Sequence, residues 1–210
     1  MPLVCDASVV FNLGHRGRLA NIAASLNEAF GLLITPDVER EVTRDPHGGF
    51  YDAFLRTHFT RCDDALTALA SIPAEFSPLL GDGERSVLSL ARQRHCAVAI
   101  DEALGRKAAL AMELELTGTL GLMELAVRRD WLDEALAMEA VHRLQQNRFF
   151  LPVKPGANDG FSEYMVKVKQ KFAGRWHSIG ITPPHPRSTQ KTPRGFSSHA
   201  LTIRRLLSRP

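Results

Sequence analysis

Two spacings of apolar residues alternate along residues 3 to 151. Short continuous runs, LVC at 3–5, LLIT at 32–35, CAVAI at 96–100 and LELT at 114–117, have the length and composition of buried strands. FFLPV at 149–153 is a candidate for a last strand. Between the runs, apolar residues recur at helical spacing in RLANIAASLNEAF, DVEREVTR, GFYDAFLRTHF, DALTALASI, EALGRKAALAMEL, GTLGLMELAVRRD and DEALAMEAVHRLQQN. LLGDGERSVLSLARQRH reads as a Gly-rich loop and then a helix. Ser8 is placed to cap a short helix through VVFNL. Pro36 stands where a helix opens well. Strands alternating with helices predict an α/β domain, a central parallel sheet flanked by helices on both faces.

Four carboxylates sit where this pattern turns. Asp6 interrupts the apolar stretch MPLVCDASVV, and Asp101 follows CAVAI. Both stand at the carboxyl ends of strand candidates. In open parallel sheets that edge is where ligands bind, at the point where strand order reverses. On the helix opening at Pro36, Glu41 lies beside the Val38/Val42 stripe. Glu84, Val87, Leu88 and Ala91 fall at i, i+3, i+4 and i+7, so Glu84 belongs to a stripe that faces the core. Each acid also has an ordinary reading. Asp6 caps the next helix, Glu41 pairs with Arg40 or Arg44, Glu84 favours a helix N-terminus, and Asp101 is a loop residue. Four carboxylates on one sheet edge repel one another unless a divalent cation offsets the charge. Oxygen ligands with no His or Cys near in sequence suit Mg²⁺ or Mn²⁺ rather than zinc.

Composition narrows the setting. With 210 residues and 44% hydrophobic content, the chain holds one domain with a real core and some chain to spare. No stretch is apolar for long enough to cross a bilayer, and the start lacks the pattern of a signal peptide. Cys5, Cys62 and Cys96 are far apart and form no CxxC pair, which fits a reducing compartment. A soluble cytoplasmic protein is expected. Residues 1–153 carry 15 Lys and Arg against 21 Asp and Glu, a net −6; residues 154–210 carry 11 against 2, a net +9. An acidic body with a basic tail suggests contact with a polyanion, or a solubilising tail. The tail, 152–210, opens with an amphipathic helix over about 161–174. Phe161, Met165, Val168, Phe172 and Trp176 form its stripe, Ser162 starts it and Gly174 ends it. The rest, rich in Pro and polar residues, is expected to be disordered. GxSxG, Walker and strand-linked GxGxxG motifs are absent.

The segments VCDASVVFNL, ITPDVEREV, LGDGERSVLSLA, AIDEALGRKAA and LTGTLGLMELAVRRD resemble, in order, a PIN domain over residues 3–151. This is the metal-dependent ribonuclease fold that includes VapC-type toxins. The resemblance implies a three-layer fold with Asp6, Glu41, Glu84 and Asp101 as the catalytic acids. Asp6, Glu84 and Asp101 are then ligands of Mg²⁺ or Mn²⁺, and no other cofactor is called for. It also implies an RNA substrate, a cognate antitoxin, a homodimer and no membrane. Thr119 falls where the family places a polar residue near the metal, and is equally a helix N-cap. Arg106 and Lys107 follow Asp101 by about one turn, as phosphate contacts or as solvated charges. Two functions remain in view. One is an endoribonuclease, the toxin of a toxin–antitoxin pair. The other is a catalytically inactive PIN-like binding or regulatory protein. A phospho-aspartate enzyme is disfavoured, because Ser8 stands where such sites often carry a second acid.

Overall fold

Leu3–Cys5 (β1), Leu32–Ile34 (β2) and Ala97–Ala99 (β4) are buried at every residue. A strand buried on both faces needs cover on both, and the helices supply it. The computed structural model describes residues 1–16, 18–63 and 72–172. Within them Thr60–Arg61 is β3 and Leu116–Thr117 is β5, and five parallel strands pair in the order β3-β2-β1-β4-β5. β3 and β5 form the edges. β1 registers with β2 through Leu3↔Leu32 and with β4 through Leu3↔Ala97 and Cys5↔Ala99.

Helices follow the strands in the expected alternation. Ala7–Phe11 (α1) runs into a π-helical turn over Asn12–Arg16, and Ala20–Phe30 (α2) leads back to β2. The turn out of α2 uses Gly31 at φ +70°, a conformation that costs glycine nothing. The Asn27 side chain accepts the Leu32 N–H there at 2.9 Å. Pro36–Thr43 (α3) starts at its proline, with Thr35 as N-cap. Gly48–His58 (α4), Asp82–Arg94 (α5), Ala103–Ala111 (α6), Thr119–Arg128 (α7) and Glu134–Gln146 (α8) complete the body. The helix expected over DALTALASI falls on residues 64–71, outside the described residues save for Ile72.

Several local expectations differ from the structure, and the sequence pattern does not predict the edge strand β3, exposed at both residues. FFLPV forms no strand. Pro152 lacks the N–H a ladder needs, and the carbonyls are taken by side chains. Val153 O accepts Tyr164 Oη at 3.2 Å, and Pro152 O accepts Lys171 Nζ at 2.5 Å. The helix after it, Phe161–Lys171 (α9), is capped by Gly160 rather than Ser162. Gly174, Trp176 and the stretch expected to be disordered lie outside the described residues.

The apolar stripe of α9 is spent within the chain. Phe161, Tyr164, Met165 and Val168 are all buried as α9 packs on α8. Its lysines are engaged as well. Lys167 pairs with Asp159 at 2.7 Å and with Glu163, and Lys169 pairs with Glu124. Burial lifts the Tyr164 hydroxyl to about 12. Among the described residues no helix is long and apolar enough to cross a membrane.

The packing of α9 yields a direct contrast between neighbours. Val168 is 0% exposed and Val166 is 52% exposed. Val168→Asp strands a charge in the core and should destabilise the protein by about 3 kcal/mol or more. Val166→Asp should change stability by less than about 0.5 kcal/mol. Urea unfolding measures both; equal effects would mean that α9 does not dock as described.

Candidate active site

The chain leaves β1 towards β2 on one side and returns later to β4 on the other, so strand order reverses between β1 and β4. The ladder carries past the strand ends. Asp6 N–H donates to Ala99 O at 3.0 Å, and Ile100 N–H to Thr117 O at 3.1 Å. Asp6 and Asp101 are thereby held at adjacent carboxyl ends, over the crevice such a reversal opens.

Asp6 has two structural tasks. It is the N-cap of α1: its Oδ2 accepts the Ser8 N–H at 3.4 Å and the Ser8 Oγ at 2.8 Å. Ser8 is therefore the second helical residue and not the cap. The Asp6 carboxylate has the lone pairs to serve both donors. Asp6 is 3% exposed. Burial pushes its carboxyl up to about 6, Ser8 pulls it down, and the charges of Glu84 and Glu41 raise it further. The pure capping role accounts for the Ser8 contacts. It does not account for the neighbouring acids.

Asp101 is held by a network. Its Oδ1 accepts the Thr119 N–H at 2.8 Å. Its Oδ2 accepts Thr119 Oγ1 at 2.5 Å and Asn12 Nδ2 at 3.0 Å. Gly118, not Thr119, is the N-cap of α7, so Thr119 turns both its donors on Asp101. Burial raises the Asp101 carboxyl against these hydrogen bonds and the charge of Arg106. Arg106 itself donates through Nη1 to Ile100 O at 2.7 Å and Thr117 O at 3.1 Å. That nitrogen ties the end of β4 to β5. Lys107 is exposed.

Glu84 sits in the first turn of α5, where its Oε2 accepts the Gly81 N–H at 3.0 Å. Its Oε1 is buried without a hydrogen-bond donor among the described residues. Glu41, at the surface of α3, pairs with neither Arg40 nor Arg44; Arg40 is joined to Asp37 at 2.8 Å. Burial of the Glu41 carboxyl and the charges of Glu84 and Glu102 raise it.

Three glycines make the room. A Cβ on Gly83 would lie 2.9 Å from Glu41 Oε2 and 3.9 Å from Asp6 Oδ1. One on Gly105 would lie 2.7 Å from Glu84 Oε1, and one on Gly118 2.6 Å from Asp101 Oδ1. Any side chain at these positions would displace a carboxylate. Asp6, Glu41 and Glu84 are thus electrostatic neighbours, and Asp101 stands beside Asp6 through the β1–β4 pairing.

Three contributors escaped the sequence reading. Asn12 reaches Asp101 and Thr119 from the π-helical turn. Glu102 is a fifth carboxylate, raised by burial and by the charges of Asp101 and Glu84. In sequence Gly83 reads only as part of a Gly-rich loop, and Gly105 and Gly118 only as members of helical segments, although the pairs GE at 83–84 and GT at 118–119 carry the signal. The Cys5 thiol is pushed up by burial and by Asp6 and Asp101, which makes it a poor nucleophile.

In the positions described, no three His, Cys, Asp or Glu side chains close around one ion. The donor set still suits a hard cation. It is all carboxylate oxygen, one buried oxygen lacks a donor, and the charge of Glu84 helps raise both Asp6 and Glu41.

A profile of PIN domains matches residues 2–155, from before β1 to beyond α8. No curated protein matches the chain. The reversal of strand order, the carboxylates grouped above it and the extent of that match agree, and the chain belongs to the PIN-domain family.

Proposed function

We propose that this protein is an endoribonuclease that hydrolyses RNA phosphodiester bonds in the crevice of Asp6, Glu41, Glu84 and Asp101, with Mg²⁺ or Mn²⁺. PIN domains are in general nucleases. The observation that carries the reading is Glu84 Oε1, a buried carboxylate oxygen without a donor among the described residues, whose charge helps raise Asp6 and Glu41. A buried, unsatisfied anionic oxygen is costly, and a divalent cation removes that cost.

Asp6, Glu84 and Asp101 would hold the ion. When bound, it supplies Lewis-acid polarisation of the phosphate and makes water a stronger acid. The chain's own groups set up the rest. Thr119 and Asn12 fix the Asp101 carboxylate in one orientation, with Arg106 bracing the strand end behind it. Ser8 fixes Asp6 Oδ2 and leaves Oδ1 turned towards Gly83 and Glu41. Glu41, raised and open to solvent, accepts the proton of the attacking water. No protein nucleophile is needed. The resemblance to VapC-type toxins supports the finer reading: the toxin of a type II toxin–antitoxin pair, a cytoplasmic homodimer inhibited by a cognate antitoxin. A small neighbouring reading frame with a DNA-binding domain, whose product relieves toxicity on co-expression, is the test of that part.

Purified full-length protein should cut single-stranded RNA with Mn²⁺ and not with EDTA. Asp6→Asn and Asp101→Asn should each lower cleavage by about 10²-fold or more while the circular dichroism spectrum is kept. Cleavage surviving in both variants would sink the assignment.

Stability gives a second test that does not depend on activity. The folded Asp6 carboxyl titrates near 6, against about 4 in an unfolded chain. The fold thus binds that proton more tightly, and stability falls as pH rises from about 4 through about 6. Asp6→Asn removes this loss and keeps an oxygen acceptor for Ser8. In metal-free buffer the variant should match the parent below about pH 4, where the carboxyl is protonated folded and unfolded alike. The variant should exceed the parent by on the order of 2 kcal/mol at pH 7.5. Mn²⁺ should stabilise the parent at pH 7.5 and leave the variant nearly unmoved. A difference that does not change with pH would show that Asp6 bears no such burden.

A further inference from the structure

The body of the chain is acidic, net −6 over residues 1–153, and its crevice is lined by carboxylates. A polyanion approaching that crevice meets repulsion unless cations flank the entry. Two clefts along α3 carry such cations. The nearer, about 330 Å³, is lined by Asp37, Arg40, Glu41, Arg44, Asp82 and Gly83. It opens onto the carboxylates, because Gly83 is the residue that Glu41 Oε2 and Asp6 Oδ1 both face. The farther, about 640 Å³, shares Arg40 and runs past Thr43 to Arg61 on the edge strand β3. Both volumes fall in the range of ligand sites, roughly 300–1,000 Å³.

The arginines differ in what already holds them. Arg40 pairs with Asp37, and Arg61 with Glu39 at 2.6 Å and Asp63 at 2.7 Å. These pairs are exposed, so exchanging the carboxylate for a phosphate costs little. Arg44 makes no side-chain hydrogen bond or ion pair among the described residues. It is the C-cap residue of α3, about one turn beyond Arg40 and still in helical backbone conformation, so the two guanidinium stems emerge about 6 Å apart along the helix axis. Guanidinium binds phosphate oxygens in pairs, and its geometry suits a phosphodiester.

We propose that Arg44, assisted by Arg40, binds an RNA backbone phosphate flanking the one cut at the carboxylates, and so sets where the strand lies. The farther cleft continues that track towards Arg61. The proposal rests on the ribonuclease reading. Arg44 touches the substrate away from the reacting atoms and acts as a positioning residue.

The test uses the full chain and a fluorescent single-stranded RNA, with binding followed by anisotropy in EDTA over a range of salt. Each phosphate neutralised contributes about 0.7 to the slope of log affinity against log salt. Arg44→Gln should lower that slope by about 0.7 and weaken binding several-fold. Arg44→Lys should restore the slope, and Arg143→Gln, on α8 outside both clefts, should change neither. With Mn²⁺, Arg44→Gln should raise KM for cleavage and keep kcat. Parent cleavage with an unchanged Arg44→Gln slope and KM would overturn the arginine track alone. A parent that neither binds nor cuts RNA would overturn both this proposal and the ribonuclease reading.

Discussion

The pairing of β1 with β4 is the constraint on which the site depends. Residues 6 and 101 are far apart in sequence, and the parallel register Cys5↔Ala99 brings them to adjacent strand ends. The hydrogen bond from Asp6 N–H to Ala99 O fixes that edge. A slip of one residue would turn every side chain of β1 to the opposite face. Full burial of Leu3, Val4 and Cys5 makes such a slip expensive. The core is therefore what holds the acids in register, and the hydrophobic effect indirectly positions the chemistry.

Placing like charges together is tolerated because each has a partial remedy. Asp6 caps a helix, Glu84 lies in the first turn of another, and Asp101 takes three hydrogen bonds. Helix N-termini favour negative charge, so two of the acids gain from the backbone. Glycines at 83, 105 and 118 allow the close approach. The remedies are incomplete, as the raised Asp6 carboxyl and the lone Glu84 oxygen show. Natural proteins store imbalance of this kind at functional sites rather than elsewhere.

Much of this was legible along the chain. Four of the five strands, the helix opening at Pro36 and the ordered acids follow from spacing and from resemblance to PIN domains; the exposed two-residue edge strand β3 has no apolar run to announce it. The misses have physical causes. Serine caps helices well, which predicts Ser8 as the cap, and Asp6 two residues earlier does that work with a side chain that must also sit at a strand end. FFLPV has strand composition, yet its backbone groups are used by α9. Asn12 carried no signal at all, since its partner lies 89 residues away.

By itself the sequence determined the alternation of elements, the strand-end acids and the stripe of α9, because period and burial follow from local composition. Only the tertiary structure decided which acids share a charge environment, that Thr119 and Asn12 grip Asp101, and that the glycines clear space for carboxylates. It alone decided that the α9 stripe faces α8 rather than a partner. These are matters of distance between residues remote in sequence. Such distances are set when the sheet pairs and the helices pack on it, and no local pattern records them.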